Sequence, residues 1–200
     1  AIALPFLIIL VCFLYTTSSY SRRYDEIVSN LSVANNYNLN FKEEMDESLY
    51  KIVVGYTDFD SIGQDKSLRD PYELIRELRE AFTRLEDSEG EEQSKIWLQS
   101  LLRNIDTLEK RVDDIRQSIA GGGSYEEHIA MLDDNIYILT ELIQEDIQYF
   151  IYYQTGNMGK VSRTIQNRVQ RFLYLGTLMV VVTALFVAIA SVVIVGDISK

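Results

Sequence analysis

Apolar and polar residues are arranged along this chain in three ways. Residues 172–196, FLYLGTLMVVVTALFVAIASVVIVG, carry no charged side chain. Residues 1–15 are also almost wholly apolar but form a shorter run. Between these ends, apolar residues recur every three or four positions, which is the period of an α-helix with one buried face. The pattern therefore predicts helices along most of the chain, with membrane-crossing candidates at both ends.

The uncharged segment 172–196 is long enough to cross a membrane. A helix needs about 20 apolar residues to traverse a hydrocarbon layer about 30 Å thick. A buried helix of a globular domain is the alternative, but such helices seldom run this far without a polar face. We therefore predict a transmembrane helix over residues 172–196, followed by a polar exit at residues 197–200.

The first apolar run has two interpretations. Because the chain starts at Ala1 without a methionine, we interpret residues 1–19 as an N-terminally truncated transmembrane helix. The alternative is the apolar region of a secretory signal, since about 7–15 apolar residues followed by small ones such as Thr16 and Ser18 fit that pattern too. We favour the transmembrane helix because no A-x-A-like cleavage site is present and helical periodicity resumes almost at once.

The next segment, residues 20–56, gives an ambiguous signal. Its apolar residues follow an approximate 4-3 spacing, which is typical of a long helix packed in a bundle or coiled coil. Two seam positions are polar, Asn38 and Ser48, and a buried Asn fixes the register in some coiled coils. Several asparagines between positions 35 and 40 weaken helix propensity, so we favour an irregular stretch over a continuous helix.

Turn residues divide the middle of the chain. Residues 57–69 have turn chemistry and predict a connection. A helix then starts at Asp70-Pro71, with Asp70 as the N-cap and Pro71 at the first helical position. Its apolar stripe is interrupted at residues 87–90, which we interpret as a reversal of the chain direction.

Two further helices are predicted after that reversal. The run over residues 97–119 has a clean 4-3 spacing and ends at the glycines 121–123. Ser124 and Glu127 then predict a capping box. Glycines within residues 156–159 predict a soft spot before the uncharged segment. The predicted apolar seam of the fourth helix is Tyr125, Ile129, Leu132, Ile136, Leu139, Ile143, Ile147 and Phe150.

These elements predict an all-α fold. If both apolar ends are anchored in one membrane, an even number of long helices must leave that membrane and return to it. An up-down four-helix bundle meets this condition with short loops. We therefore predict a helical-bundle domain over residues 20–171, flanked by the two transmembrane helices.

Charge limits the classes of partner. The chain carries 19 Lys and Arg against 30 Asp and Glu, a net charge of −11. An acidic domain is a poor candidate for binding nucleic acid or an anionic membrane surface. Carboxylate pairs such as Glu43-Glu44 and Asp133-Asp134 fall between apolar seam positions. We interpret them as solvated helix faces rather than acid/base dyads or calcium ligands.

The sequence predicts no catalytic residue, cofactor or metal site. Cys12 is the single cysteine and lies in an apolar run, which excludes a disulfide framework and a thiolate metal site. His128 is the single histidine, and its surroundings do not match a phosphoacceptor helix. We predict that it is an ordinary exposed helical residue. The chain has neither a Gly-rich phosphate loop nor an Asn/Gly ATP-binding box.

One aromatic group is the candidate ligand-binding site. It lies on the fourth helix and comprises Tyr137, Tyr149, Tyr152 and Tyr153. Such residues more commonly pack in a core or form an aromatic belt at a membrane interface. We therefore favour core packing or an aromatic belt, and keep ligand binding as the alternative.

The order of these segments resembles the input half of bacterial sensor histidine kinases and, similarly, of methyl-accepting chemotaxis receptors. Both have a transmembrane helix, an extracytoplasmic helical bundle, a second transmembrane helix and a short polar exit. The closing residues GDISK resemble the entry to a HAMP relay domain. The Tyr- and Asn-rich first helix is more similar to a kinase input domain than to a chemoreceptor.

This resemblance implies a two-component sensor in the cell membrane, with the bundle outside the cytoplasm. It implies a homodimer, an extracellular ligand or partner protein, and an ATP-dependent protein-histidine kinase beyond Lys200. It also implies that a ligand or a stress displaces a helix, and that this displacement is passed to the HAMP and kinase regions. Two alternatives stay open: a membrane-anchored helical scaffold protein and a chemotaxis receptor ectodomain.

Overall fold

The chain is helical almost throughout. The structure, a computed structural model, describes residues 3–64, 67–88 and 92–198, and it contains no β-strand within these ranges. The predicted all-α class is confirmed. In chain order the elements are α1 (Ala3–Val53), a 3-10 turn (Ile62–Gln64), α2 (Pro71–Ser88), α3 (Glu92–Ala120), α4 (Tyr125–Met131), a π-helical turn (Leu132–Ile136) and α5 (Tyr137–Ile198).

These elements divide into two compact units. The first unit comprises Ala1–Glu26 and Met158–Lys200, and the second comprises Ile27–Asn157. The second unit is narrower than the predicted domain 20–171, because residues 20–26 and 158–171 belong to the first unit. Each unit is described separately below.

Helix α1 is regular where an irregular stretch was favoured. It continues through the asparagine-rich positions 35–40 without interruption, so the prediction of an irregular stretch is wrong. Ala34, Phe41 and Met45 are all buried in the core of the second unit. Most helical stability in proteins comes from burying one face, and that burial outweighs the weak propensity of the asparagines.

Helix α2 starts as predicted. The backbone N–H of Tyr72 donates to Asp70 Oδ1 over 2.9 Å, and the N–H of Leu74 donates to Asp70 O over 3.0 Å. Asp70 is therefore the N-cap, and Pro71 occupies the first position, where no N–H is needed. The preceding connection contains the 3-10 turn, whose Ile62 is fully buried.

The predicted reversal between α2 and α3 is confirmed, although residues 89–91 lie outside the described residues. The two helices are antiparallel, because residues near the end of α2 contact residues near the start of α3, and residues near the start of α2 contact residues later in α3. The side-chain contacts are Gln99 Nε2 to Glu86 Oε1 (2.9 Å), Arg79 Nη2 to Asp106 Oδ1 (3.1 Å) and Tyr72 Oη to Asp113 Oδ1 (2.6 Å).

The glycines after α3 form a tight turn. Gly122 has a φ of +77°, in the left-handed region that favours glycine. A Cβ on Gly123 would lie 2.4 Å from Ser118 Oγ and 2.9 Å from His128 Nε2. Position 123 therefore has no room for a larger residue.

Ser124 caps α4 as predicted. Its Oγ accepts from the Glu127 N–H over 3.2 Å. The Glu127 carboxylate accepts from Ser118 Oγ across the turn, also over 3.2 Å. Glu127 thus joins the turn to the end of α3, a use of this residue that the capping-box motif did not predict.

A π-helical turn separates α4 from α5 and changes which residues of the fourth helix are buried. The buried positions there are His128, Leu132, Ile136 and Thr140, each four residues apart. In a regular α-helix, three successive steps of four would rotate the stripe by about 120°. The extra residue of the π turn compensates for most of this rotation. The stripe therefore stays on one side of the helix.

The predicted seam of the fourth helix is correspondingly wrong at its start. Tyr125 is exposed, and Ile129 and Leu139 are only half-buried. Leu132 and Ile136 are buried as predicted, and so are Ile143, Ile147 and Phe150.

The predicted soft spot at residues 156–159 coincides with the boundary between the two units, which falls between Asn157 and Met158. Helix α5 continues through Gly156 and Gly159, and a Cβ at either position would meet nothing within 4 Å.

The core of the second unit joins all of its long helices. Phe82 of α2 is fully buried and contacts Tyr37 of α1, with the ring centroids 5.9 Å apart. It also contacts Phe150 of α5 edge to face at 6.4 Å. Edge-to-face aromatic pairs are favourable beyond the area they bury. Phe82 is therefore a central packing residue of this unit.

The first unit pairs the beginning of α1 with the later part of α5. Phe13 and Phe172 stack with their centroids 3.9 Å apart. The Arg168 guanidinium lies 4.6 Å from the Tyr20 ring centroid and donates to Tyr20 Oη over 3.1 Å. These contacts make the two segments antiparallel within the first unit.

Among the described residues, one helix is long and apolar enough to cross a membrane, and no residue of its most apolar stretch is buried. This helix includes most of the predicted segment 172–196. Exposed side chains there include Leu178, Val182 and Phe186. Residues 1–2 of the predicted first span lie outside the described residues, and the rest of that span belongs to α1.

Candidate functional site

The tyrosine-rich part of α5 forms an open groove in the second unit. Glu145, Gln148, Tyr149 and Tyr152 line this groove, which has a volume of about 450 Å³. These positions are spaced i, i+3, i+4 and i+7, so they share one face of a helix. Because α5 is continuous here, the sequence spacing alone brings the four lining residues onto one side of the helix.

Tyr149 is held in place by a tryptophan of the neighbouring helix. Its ring stacks on Trp97 of α3, with the centroids 5.1 Å apart and the ring planes 16° from parallel. Offset-stacked pairs at such distances are favourable. Tyr149 nevertheless stays 53% exposed. One face of its ring is covered while the remainder of the side chain is open to the groove.

A buried hydrogen bond fixes the same helix pair nearby. Gln154 Nε2 of α5 donates to Ser94 Oγ of α3 over 3.2 Å, and both side chains are buried. Buried polar groups are costly unless they are paired, so this bond specifies how α3 and α5 align. The alignment places Trp97 opposite Tyr149.

The four predicted site residues do not form a single cluster. Tyr149 and Tyr152 lie in the groove, and Tyr152 is 80% exposed. Tyr153 is half-buried and is not a lining residue of that groove. Tyr137 lies twelve residues before Tyr149 on α5, about 18 Å along the helix axis.

Tyr137 belongs to a different, more buried group. Its ring lies 5.9 Å from Lys42 Nζ of α1. Burial raises the pKa of the Tyr137 hydroxyl, and the negative charge of Asp46 raises this pKa further. Tyr137 therefore packs against the core of the second unit.

Asp46 is the centre of that group and joins α1 to α5. The Thr140 hydroxyl of α5 donates to Asp46 Oδ1 over 2.8 Å, and Lys42 pairs with Asp46 Oδ2. Burial raises the pKa of the Asp46 carboxyl above its ordinary value, while the bonds from Lys42 and Thr140 lower it. Gln144 Nε2 adds a second link by donating to the Asn38 backbone oxygen over 3.0 Å.

The side chain of Asn38 contains an unsatisfied polar atom. Its Oδ1 is buried and has no hydrogen-bond partner among the described residues. An unsatisfied buried acceptor costs about 1–3 kcal/mol. The link that joins Asn38 to α5 is made by its backbone carbonyl, which accepts from Gln144.

A second half-buried carboxylate joins α3 to α5. Asn104 Nδ2 donates to Asp146 Oδ2 over 2.8 Å. Burial raises the pKa of the Asp146 carboxyl, and hydrogen bonds from Asn104 and Ser100 act in the opposite direction. Asp46 of α1 and Asp146 of α5 each accept a hydrogen bond from a neutral side chain of a neighbouring helix. Together they link α5 to α1 and to α3.

His128 is buried, whereas the sequence predicted an exposed residue. Only 7% of the side chain is accessible, and its Nε2 lies 3.1 Å from Ser118 Oγ. The turn at residues 121–123 brings α4 against the end of α3, which covers the imidazole. His128 is a packing residue of this turn.

Comparison of the chain with models of protein families, with curated proteins and with solved structures finds no match. Its function is therefore inferred from its own residues and geometry.

The described residues also contain no group of three His, Cys, Asp or Glu arranged to hold a metal ion. Most members of the carboxylate pairs lie on exposed helix faces, including Glu43, Asp133 and Asp134. Glu91 lies outside the described residues.

Sequence reasoning missed Glu145 and Gln148 as lining residues of the groove, and it missed Trp97 as the residue that stacks on Tyr149. The signal for Trp97 was nevertheless present. Trp97 and Tyr149 lie at similar distances on either side of the glycine turn at 121–123, so an antiparallel helix pair places them opposite each other. Glu145 follows from the same helix face one turn before Tyr149.

Proposed function

We propose that this chain is the sensory input and transmembrane signalling part of a bacterial sensor histidine kinase. In this proposal the second unit is an up-down four-helix bundle outside the cytoplasm. The first unit contains two transmembrane helices, and the protein acts as a homodimer in the cell membrane. Residues 197–200 lead into a HAMP domain and a kinase.

One observation carries the proposal: an uncharged helical segment, with no buried side chain among those the structure describes, follows an acidic helical unit in the same chain. Soluble proteins rarely expose contiguous apolar surfaces of this size. A lipid bilayer would cover the side chains between residues 173 and 192, which are mostly exposed.

The bundle arrangement is supported by contacts within the second unit. Helix α2 runs antiparallel to α3, as their side-chain pairs require. Two contacts between α1 and α5, from Thr140 to Asp46 and from Gln144 to Asn38, have the same antiparallel sense. Alternating directions of this kind are those of an up-down bundle.

The proposed mechanism is a small displacement of one helix against its neighbours. Packed helices exchange between discrete arrangements, and shifts of about 1–2 Å are typical of signalling proteins. Helix α5 contains both the groove residues and the apolar segment. A ligand that altered the packing of Tyr149 on Trp97 would therefore act on the helix that enters the membrane.

The second candidate is a membrane-anchored scaffold whose helical unit binds a partner protein and transmits nothing. The open groove beside Tyr152 favours it equally, because an exposed aromatic surface is also typical of protein contacts. A chemotaxis receptor would share the same arrangement of helices. The coding sequence beyond Lys200 distinguishes all three: HAMP and kinase, HAMP and methylation helices, or neither.

A fusion protein tests signalling directly. Residues 1–200 would be joined to the HAMP and kinase regions of a characterised sensor, and autophosphorylation would be measured in isolated membranes. One to four alanines, and then seven, would be inserted after Lys160 in α5. Each added residue rotates the following segment by about 100°, and seven restore the phase to within about 20°.

If the helix transmits a signal, kinase output varies with the phase of the insertion and returns towards the starting value with seven residues. The same insertions after Gln64, an exposed position in the connection between α1 and α2, serve as the control and leave the output unchanged. Output that ignores every insertion in α5 would favour the scaffold.

A further inference from the structure

We propose that the groove lined by Glu145, Gln148, Tyr149 and Tyr152 binds a small organic cation, such as a quaternary ammonium or a protonated amine. The biological meaning of this site rests on the proposed sensory function, but the binding itself does not. The site gives the sensor a defined class of ligand.

The lining has the chemistry that recognises such cations. An aromatic ring presents a negative face that attracts a cation within about 6 Å of its centroid. Tyr149 and Tyr152 supply two such rings, and Glu145 supplies a carboxylate. The lining residues that the structure describes include no Lys or Arg, so nothing among them repels a positive charge.

The groove is prepared before a ligand arrives. Stacking on Trp97 fixes the Tyr149 ring, so little side-chain entropy is lost when a ligand contacts it. Tyr152 is 80% exposed, a high value for a large aromatic residue in a helical unit with an ordered core. The exposed Tyr152 ring lies on the same helix face as the Glu145 side chain.

Size and charge agree with this ligand class. Ligand sites commonly have volumes of about 300–1,000 Å³, and this groove has about 450 Å³. The chain carries a net charge of −11. Its field therefore raises the local concentration of cations and lowers that of anions.

Trp97 makes the binding directly measurable. It is the single tryptophan of the chain, and it stacks on a groove residue. Ligand contact with Tyr149 therefore changes the only tryptophan emission signal. The full chain would be purified in a maltoside detergent, since phosphocholine detergents and lipids carry the proposed ligand group themselves.

The probes are choline and its neutral isostere 3,3-dimethylbutan-1-ol, which differ in the charge of one atom. We expect a saturable change in emission with choline and a response at least threefold weaker with the alcohol. The variant Tyr152→Ala should weaken choline binding about two- to fivefold, the usual size of an exposed cation–π contact. Glu145→Gln should weaken it by a similar factor.

Matched variants separate binding from general damage. Tyr152→Phe keeps the aromatic face and should retain choline binding. Glu141→Gln lies one turn before Glu145 and Tyr125→Ala is an exposed tyrosine of α4, and neither position lines the groove. Both should bind choline like the parent chain. Far-UV circular dichroism would check that each variant is folded.

Three results would overturn the proposal. The first is an equal response to choline and its isostere, which would mean simple apolar partitioning. The second is no saturable response to choline. The third is a change that depends on protein concentration alone, which would mean that a second copy of the chain covers the groove. None of these results bears on the phase-dependent kinase output, so the sensory function is tested separately.

Discussion

Single residues in this molecule are most constrained at the turn between α3 and α4. Gly123, Ser118 and His128 meet there at distances that leave no free volume. The turn also depends on Gly122, whose φ is positive. Its geometry is therefore set by three kinds of local limit: backbone conformation, contact distance and a buried ring.

We expect Gly123→Ala to destabilise the second unit by about 1–3 kcal/mol, because the new methyl group overlaps Ser118 Oγ and His128 Nε2. Urea denaturation followed by circular dichroism would measure the change. Gly63→Ala is the control, since a Cβ there meets nothing within 4 Å. Equal stability of the two variants would contradict the described packing of the turn.

The half-buried Asp146 gives a pH dependence with a defined sign. Burial raises its pKa in the folded chain above the ordinary value of 3.8, so the folded state binds the proton more tightly than the unfolded state. This contribution to the free energy of unfolding is fully present below the ordinary pKa and is lost as pH rises through the raised pKa.

Asp146→Asn should therefore be at least as stable as the parent chain at neutral pH. The asparagine oxygen still accepts from Asn104 Nδ2, and the desolvated charge is absent. The advantage should shrink as pH falls below about 4. Unfolding would be measured at several pH values, with the exposed Asp134→Asn as the control. A difference that grows as pH falls would contradict the burial of Asp146.

At the scale of helices, the clearest feature is the π turn at Leu132–Ile136. The sequence predicted both Leu132 and Ile136 as seam residues, yet it placed Tyr125 and Ile129 before them instead of His128. A heptad pattern cannot represent three consecutive steps of four. The mismatch was therefore a consequence of assuming one period for the whole helix.

Deleting Asp134 should convert the π turn to regular α-helix. The 4-4-4 spacing of the buried residues from His128 to Thr140 would then become 4-3-4, which a regular helix keeps on one face, so His128 and Leu132 should keep their packing. We expect unchanged helix content and a change of about 1 kcal/mol or less in the free energy of unfolding. Deleting Glu141, an exposed residue of the regular helix α5, should instead rotate the residues before it by about 100° and lower the free energy of unfolding by about 2–5 kcal/mol. Equal losses from the two deletions would contradict the described π turn.

Other elements could be predicted because their signals are local. The Asp70-Pro71 start, the Ser124 cap and the glycine turn each depend on a few neighbouring residues, and each is present. Helix α1 was underestimated because its stability comes from core partners distant in sequence. The pairing of Trp97 with Tyr149 likewise depends on tertiary alignment, which one helix pattern does not contain.

The molecule as a whole combines an acidic helical unit with an uncharged helical segment. These parts prefer different surroundings, because a charge costs several kcal/mol in hydrocarbon and an apolar surface is unfavourable in water. Fold class and the apolar segment could be predicted from composition and periodicity. The ligand class could not, since it depends on which side chains the helix packing leaves exposed.

Two arginines in the apolar segment should prevent its insertion. The double variant Val181→Arg/Phe186→Arg places charges at exposed positions of this segment. The expected penalty is about 5–7 kcal/mol if the segment lies in a bilayer. This double variant and its matched control are made in residues 20–200, because residues 1–19 are proposed to form a second anchor. Alkaline carbonate extraction of membranes should then release more of this variant than of the unmutated chain 20–200.

The matched control places the same two charges in the second unit. Ile138→Arg/Leu142→Arg changes two apolar residues that are also exposed. It should remain in the membrane fraction like the unmutated chain 20–200. Equal extraction of both double variants would contradict a membrane position for the segment around residues 181–186.

The widened turn at Leu132–Ile136 also affects how related chains should be aligned with this one. Alignment methods usually penalise gaps inside helices, since a lost residue elsewhere would twist the inward-facing stripe away from its neighbours. Here a relative could lack one amino acid and remain helical, because the inward-facing residues on either side of the gap would then be three apart instead of four. A single-residue gap at this place is therefore physically reasonable, and forbidding it would mispair everything from Tyr125 to Met131.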